Sequence, residues 1–133
     1  MITIRKSAED YLEAMLMLQE KHGYIRSVDI AEELGVKKPS VSHATKLLKE
    51  NGYITMDEEN LITLTESGMA VAASVYERHK LLTYLLVSLG VDEQTAREDA
   101  CKVEHDLSQQ SFDAIRRHLE PHLGDYHDWW KGR

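Results

Sequence analysis

The sequence has only one cysteine, two prolines and one phenylalanine among its 133 residues, and it has no long apolar run. The single Cys101 cannot form a disulfide within the chain, which is typical of a reducing compartment. No segment is long and apolar enough to span a bilayer, and the N-terminus lacks the apolar core of a signal peptide. These absences predict a cytoplasmic protein with no membrane partner. With 42% apolar and 29% charged residues, the chain is expected to be helix-rich and globular.

The formal charge of −7 is distributed unevenly along the chain. A uniformly acidic protein would disfavour nucleic acid, because phosphate binding requires positive potential at the contact surface. Residues 34–49, however, contain no acidic residue. Their basic and histidine side chains are Lys37, Lys38, His43, Lys46 and Lys49. This segment can therefore still bind DNA, while the acidic residues gather in 7–20, 57–59 and 92–106.

Residues 7–22 are predicted to form a helix that begins at Ser7 as N-cap and ends at Gly23. Asp10 and Glu13 lie three residues apart, so a helix places them side by side. Two functions fit this acidic pair: ligands of a cation, or an ordinary acidic start that complements the helix dipole.

Residues 27–36 and 37–52 are predicted to form two short helices joined by a turn at Gly35, which is the pattern of a helix-turn-helix. The second helix begins near Pro39 and is the predicted recognition helix. The inward residues of the two helices are predicted to be Val28, Ile30, Ala31, Leu34, Val41, Ala44, Leu47 and Leu48. The predicted DNA-binding residues are Arg26, Ser27, Lys37, Lys38, Pro39, Ser40, Ser42, His43 and Lys46.

Residues 53–56 and 61–64 are predicted to be two strands joined by a turn at 57–60, and a hairpin at this place is the wing of a winged helix. The alternative is a generic helical core with an accidental hairpin. The acidic tip Asp57-Glu58-Glu59 departs from a wing that grips phosphate.

The second half of the chain is predicted to consist of helices over 65–89, 92–107 and 109–119. The first of these is apolar on more than one face near its end, so a second subunit is expected to cover it. The aromatic tail 124–133 is either an anchor packed on the body or a frayed end.

A metal site is indicated by Cys101, Glu104 and His105, whose spacing places all three on one face of a helix. A thiolate, a carboxylate and an imidazole can ligate a divalent transition metal, with further ligands from elsewhere in the chain. On its own, a lone cysteine such as Cys101 is more often a buried apolar residue than a ligand.

Six segments carry a family pattern: 8–13, 29–34, 38–42, 64–68, and above all Arg78-His-Lys-Leu-Leu82 and Glu98-Asp-Ala-Cys-Lys-Val-Glu-His105. Through them the whole chain resembles the diphtheria toxin repressor family of metal-dependent regulators, which includes the manganese transport regulators. The length is expected to correspond to the short form without a C-terminal SH3-like domain.

The resemblance implies a mainly α fold, with a winged helix-turn-helix DNA-binding domain at 1–70 and a helical dimerisation and metal-binding domain at 71–133. It implies a homodimeric repressor that binds a palindromic double-stranded DNA operator and controls metal homeostasis genes, and not an enzyme. The implied cofactor is Mn2+ or Fe2+, with Co2+ and Zn2+ also compatible. The implied metal ligands are Asp10, Glu13, His79, Cys101, Glu104 and His105.

This ligand set is a hybrid within the family. Five of the six match the manganese regulators, but Cys101 stands where those proteins have glutamate and where the iron-dependent repressors have cysteine. The iron-dependent members have methionine at the position of Asp10. A thiolate shifts preference toward Fe2+, Co2+ or Zn2+, whereas carboxylates and imidazoles suit Mn2+. Thr83 and Arg97 occupy positions where iron-type members bind a second metal, which argues against that second site here.

The expected mechanism is that a metal ties the first helix to the fifth and so fixes the spacing of the two recognition helices in a dimer. Metal binding displaces protons from the thiol and imidazoles, so activation is expected to weaken as pH falls. Three alternatives remain open: a metal-independent regulator with Cys101 as redox sensor, a hydrolase or metalloenzyme using Cys101 and His105, and a structural zinc site.

Overall fold

The computed structural model describes residues 6–131, and within them it contains seven α-helices, one 3-10 turn and two strands. The helices are α1 (Lys6–His22), α2 (Ser27–Leu34), α3 (Lys38–Glu50), α4 (Glu66–Ser88), α5 (Glu93–Val103), α6 (Gln109–Leu119) and α7 (Leu123–Lys131). The strands are β1 (Ile54–Met56) and β2 (Ile62–Leu64), and the 3-10 turn is Glu120–His122. The predicted mainly α fold is confirmed.

The chain divides into two compact units, Met1–Tyr76 and Glu77–Arg133. The predicted domain boundary between residues 70 and 71 stays a prediction. The outer ends of the two predicted domains, residues 1–5 and 132–133, lie outside the described residues. None of the described helices has the length and apolar character needed to cross a membrane.

In the first unit, α1 supplies the largest apolar contribution to the core through Leu12, Met15 and Leu18. The helix ends where predicted, at Gly23, whose positive φ of 82° suits glycine and whose N–H donates to the Gln19 carbonyl at 2.8 Å. Six consecutive residues of this helix, from Tyr11 to Leu16, are buried, so α1 is covered on more than one face.

Helices α2 and α3 form the predicted helix-turn-helix, and the turn between them is made by Gly35 with φ of 65°. The predicted inward orientation is wrong for two residues, because Val28 is 51% exposed and Leu47 is 44% exposed. Helical geometry explains both, since each residue advances by about 100°. Val28 lies on the opposite side of α2 from Ile30, and Leu47 is one position off the buried line. That line in α3 consists of Val41, Thr45 and Leu48.

The predicted wing is confirmed as an antiparallel hairpin in which Ile54 faces Leu64 and Met56 faces Ile62. Ile62 also donates its N–H to the Ile25 carbonyl at 3.0 Å, so the hairpin is joined to the segment before α2. At the tip, Asp57 turns its carboxylate inward and accepts two backbone N–H groups, each at 2.9 Å. The Asp57 carboxylate thus stabilises the turn.

The second unit has a core of Leu81, Phe112, Leu119 and Tyr126, with Tyr84, Leu85, Ile115 and Trp130 packed against it. Part of the apolar face of α4 is therefore covered by α6 and α7 of the same chain, and its cover by a second subunit stays a prediction. The aromatic tail is an anchor as far as Lys131, because it forms α7 and buries Tyr126 in this core.

Helix α5 begins at the predicted N-cap, Asp92, whose carboxylate accepts from the Thr95 hydroxyl at 2.6 Å. The Thr95 hydroxyl and amide hydrogen bonds hold the pKa of Asp92 below its usual range. Its C-terminal end differs from the prediction, since α5 stops at Val103 instead of Leu107. Ser108 is the extended N-cap of α6 and accepts from the Ser111 N–H at 3.1 Å, so the chain must leave the helix before that residue.

We expect Gly68→Ala to destabilise the first unit. A Cβ at position 68 would collide with the backbone carbonyl of Tyr53, and a backbone group cannot yield as a flexible side chain does. Gly124→Ala is the matched control, because a Cβ there meets no atom within 4 Å. Urea unfolding should show a loss of about 1–3 kcal/mol for the first variant and no loss, or a gain of up to about 1 kcal/mol, for the second. Equal effects would contradict the close approach.

Candidate metal centre and DNA-binding surface

The second unit gathers four of the six predicted metal ligands around the carboxylate of Glu104. Its Oε2 lies 3.0 Å from Nδ1 of His79 in α4, and its Oε1 lies 3.4 Å from Nε2 of His105. A Glu104 carboxylate oxygen is also within 4.8 Å of Sγ of Cys101. Two imidazoles and a thiol thus surround one carboxylate.

Burial makes this cluster more than a chance grouping of polar residues. Glu104 is 1% exposed, His79 is 8% exposed, and the His105 side chain is 2% exposed. A buried carboxylate is costly unless it is hydrogen-bonded or paired with a positive charge. The hydrogen bond between His79 and Glu104 requires one shared proton, and a cation bound by both atoms would take the place of that proton. The donors present therefore fit a divalent transition metal.

The positions of these side chains differ from the predicted single helical face. Because α5 ends at Val103, Glu104 and His105 lie in the turn that follows it. Glu104 keeps helical φ and ψ of −57° and −29°, and its N–H donates to the Ala100 carbonyl at 2.9 Å. Cys101 and Glu104 therefore remain one turn apart, as the spacing predicts. Cys101 is exposed, so its alternative reading as a buried apolar residue is wrong.

Arg78 has a structural part in this centre that the sequence pattern did not reveal. Its guanidinium donates to the carbonyls of Glu104 and Leu107 at 3.2 and 2.7 Å, and to Oε1 of Gln109 at 2.9 Å. It also lies over the Phe112 ring, 5.1 Å from its centroid. One side chain of α4 thus holds both ends of the turn that carries Glu104 and His105. In the sequence, the only indication of this role was that Arg78 directly precedes the predicted ligand His79.

The remaining two predicted ligands, Asp10 and Glu13, lie in the first unit on α1. Asp10 is half-buried and Glu13 is only 6% exposed. Glu13 stands among buried residues from Tyr11 to Leu16, where an unneeded carboxylate would be costly. Neither residue is in the first turn, which begins at Lys6, so the alternative of a dipole-complementing start fits poorly.

Thr83 and Arg97 are both engaged in interactions of their own. The buried Thr83 hydroxyl donates to the His79 carbonyl at 2.7 Å. Arg97 pairs with Glu93 at 3.2 Å and lies over the Trp130 ring. A guanidinium disfavours a nearby cation, so Arg97 is a poor substitute for the histidine that iron-type members have at this position.

The predicted DNA-binding residues lie on the surface of the first unit, where all are exposed except Ser27, which is half-buried. Lys37, Lys38 and Lys46 have no acidic neighbour in the sequence of α3 before Glu50. Arg26 is held in place by Asp29 at 3.3 Å and lies over the Tyr24 ring at 4.8 Å. This exposed basic helix is suited to the major groove.

A winged helix-turn-helix with a basic recognition helix, in a chain that also buries a carboxylate–imidazole cluster, defines the class of metal-responsive DNA-binding regulators. Comparison of the sequence with known families agrees. The N-terminal DNA-binding domain of the iron-dependent repressors matches residues 3–60. Their metal-binding and dimerisation domain matches residues 65–127. The chain belongs to the iron-dependent repressor family, which confirms the resemblance read from the sequence.

Its relatives include regulators from archaea and bacteria. An uncharacterised helix-turn-helix transcriptional regulator of Methanocaldococcus jannaschii is 37% identical over 117 residues, which are 86% of this chain and 94% of that protein. The transcriptional regulator MntR of Bacillus subtilis is 38% identical over 109 residues, or 82% of this chain and 77% of MntR.

Solved structures share the fold. A manganese-dependent transcriptional repressor in complex with manganese has a TM-score of 0.76 and 31% identity over 84% of this chain. The IdeR structure from T. acidophilum has a TM-score of 0.74 over 90% of this chain, and at 23% identity it supports the fold alone. This chain spans 52% and 55% of those two chains, about half the length of each.

We expect Arg78→Met to loosen the turn after α5. Losing the guanidinium removes donors from two backbone carbonyls, which should lower the free energy of unfolding by about 1–3 kcal/mol. Arg116→Met is the control, since Arg116 pairs with Glu77 at 2.7 Å on the surface. An exposed ion pair contributes roughly 0–1 kcal/mol. Urea unfolding of both variants makes the comparison, and an Arg78 effect no larger than the Arg116 effect would refute the role given to Arg78.

Proposed function

We propose that this protein is a metal-dependent repressor of transcription that acts as a homodimer on double-stranded DNA. The observation that carries the proposal is the buried cluster of Glu104, His79 and His105 in a chain whose other unit is a winged helix-turn-helix. The family membership supports a DNA-binding and dimerising protein. A palindromic operator, control of metal homeostasis genes and a cytoplasmic location are finer parts of the proposal.

The proposed ligands of the ion are Asp10, Glu13, His79, Cys101, Glu104 and His105. The arrangement around Glu104 supports the last four, because their donor atoms converge on one carboxylate. The buried Glu13 supports the α1 pair, since a cation offsets the cost of a buried carboxylate. Carboxylates and imidazoles suit Mn2+ and Fe2+, and an exposed thiolate at the edge adds affinity for Fe2+, Co2+ or Zn2+.

The proposed mechanism is a shift between arrangements of the two units. Three carboxylates, Asp10, Glu13 and Glu104, repel one another unless a cation lies between them, so an unliganded protein favours keeping them apart. Shared coordination by both units restricts this freedom. In a dimer, that restriction fixes the distance between two recognition helices, whose half-sites on DNA lie about 34–36 Å apart or at a multiple of that spacing. DNA and metal then each raise the affinity for the other.

The exposure of Cys101 favours one second candidate function, a regulator that senses oxidants through this thiol. It predicts that alkylation of Cys101 changes DNA binding while added metal does not. The family is one of transcriptional regulators, and we propose no catalytic role for Cys101 and His105.

An anaerobic Co2+ titration followed by absorption tests the ligand set. We expect saturable binding with sulfur charge-transfer bands, and we expect Cys101→Ser to remove the bands while retaining binding. Glu104→Gln should abolish binding, whereas Glu98→Gln is the control, because Glu98 is an exposed carboxylate of α5. Binding by wild type without sulfur bands would exclude Cys101 as a ligand. No Co2+, Mn2+ or Fe2+ binding at all would refute the metal-dependent function.

Salt-dependent DNA binding tests the recognition helix. We expect Mn2+ to tighten binding to a palindromic duplex selected from a random library, and a chelator to reverse this. Lys46→Ala should weaken binding to all duplexes and reduce the slope of log affinity against log salt by about 1 per subunit. Lys131→Ala, at the exposed end of α7, is the control and should leave the slope unchanged. Equal slopes for wild type and Lys46→Ala would contradict phosphate contact by α3.

A further inference from the structure

The last aromatic residues of α7 lie beyond residue 127, where the match to the metal-binding and dimerisation domain ends. Aromatic contacts nevertheless hold α7 in place. Tyr126 is 5% exposed in the core of the second unit, and its ring lies 5.6 Å from that of Tyr84. Trp129 packs against Tyr84 as well, with ring centroids 5.7 Å apart. These contacts fix the direction of α7 and hence the place of Trp130.

Trp130 meets His79 edge to face. The two ring centroids are 6.4 Å apart and the planes are inclined at 88°, which is the favoured T-shaped geometry of aromatic pairs. Two cations hold the same indole: the Arg97 guanidinium lies 5.0 Å from its centroid and the Lys80 ammonium lies 5.9 Å away. Trp130 is thus fixed by charged partners of α4 and α5 as well as by its own helix.

We infer that Trp130 is a positioning residue for His79. The His79 ring is constrained at Nδ1 by Glu104 and at a second side by the Trp130 indole. Metal affinity depends on such partners, because a ligand ring that is already oriented loses less freedom when the ion binds. This inference rests on the proposed function, in which His79 is a metal ligand. It adds that α7 contributes to metal affinity without supplying a ligand.

Metal binding and the contact between Trp130 and His79 must affect each other equally. If Trp130 raises the affinity of the site for an ion, then the bound ion must stabilise the contact between Trp130 and His79 by the same factor. Occupancy of the site should therefore be visible in the fluorescence of Trp130, and it should tighten the packing of α7.

The test compares two substitutions that each remove one indole from α7. Free Mn2+ is counted by electron paramagnetic resonance in titrations of wild type, Trp130→Ala, Trp130→Phe and Trp129→Ala. A T-shaped aromatic contact corresponds to roughly a three- to tenfold change in affinity. We expect the Mn2+ dissociation constant of Trp130→Ala to rise by that factor. We expect Trp130→Phe to restore most of the affinity, and Trp129→Ala to stay within about twofold of wild type.

Fluorescence supplies a readout that does not depend on a destabilised variant. Trp129→Phe leaves Trp130 as the sole tryptophan, and Trp130→Phe leaves Trp129. Mn2+ should quench the first variant with the same midpoint as its binding curve, and it should quench the second much less. Equal quenching of the two variants would contradict the inference even if Trp130→Ala fails to fold.

Failure of the proposed metal-dependent function and failure of the role of Trp130 give different results. If wild type binds no Mn2+, the proposed function fails and the inference falls with it. If wild type binds Mn2+ but the two alanine variants lose affinity equally, or the two tryptophans are quenched equally, the metal site stands and the role of Trp130 is refuted.

Discussion

The second unit depends on keeping one carboxylate, that of Glu104, almost wholly away from water. Such burial is costly unless positive charge or hydrogen bonds compensate it. Here His79 supplies a hydrogen bond to one carboxylate oxygen, and the largely buried His105 ring lies 3.4 Å from the other. If the cluster had only a structural role, apolar side chains of similar volume would stabilise the unit at least as well as these ionisable groups. Three ionisable groups in one buried place are better explained by a bound cation, which all three side chains can ligate.

Two side chains outside this cluster position its members. Arg78 fixes the backbone on which Glu104 and His105 stand, through two carbonyls and Gln109. Trp130 acts on the ring of His79. The first unit needs no comparable support for its function, because a recognition helix presents its surface directly. Its exposed lysines need only a rigid α3, which Val41, Thr45 and Leu48 provide from the buried side.

Sequence reasoning succeeded where the determinant is local. Caps and glycines located the ends of most helices, as at Gly23, Gly35 and Asp92. It failed where the determinant lies elsewhere in the chain. The early end of α5 follows from the cap of the next helix and from Arg78 in α4, neither of which alters the apolar spacing of α5. Leu47 was misplaced because an apolar residue next to a buried line looks the same as one on it.

The same distinction applies to the candidate metal centre, where spacing indicated candidate donors but not their surroundings. The three-residue interval at the end of α5 correctly kept Cys101 and Glu104 one turn apart, yet nothing in it indicated that Glu104 is buried while Cys101 is exposed. That difference matters for metal choice. A buried carboxylate flanked by imidazoles is a hard, preorganised base for any divalent ion. A thiol at the exposed edge must lose a proton and its hydration before it can ligate. Softer metals gain enough from sulfur to offset that cost, and Mn2+ gains least, so the position of Cys101, more than its presence, should set the selectivity of the site.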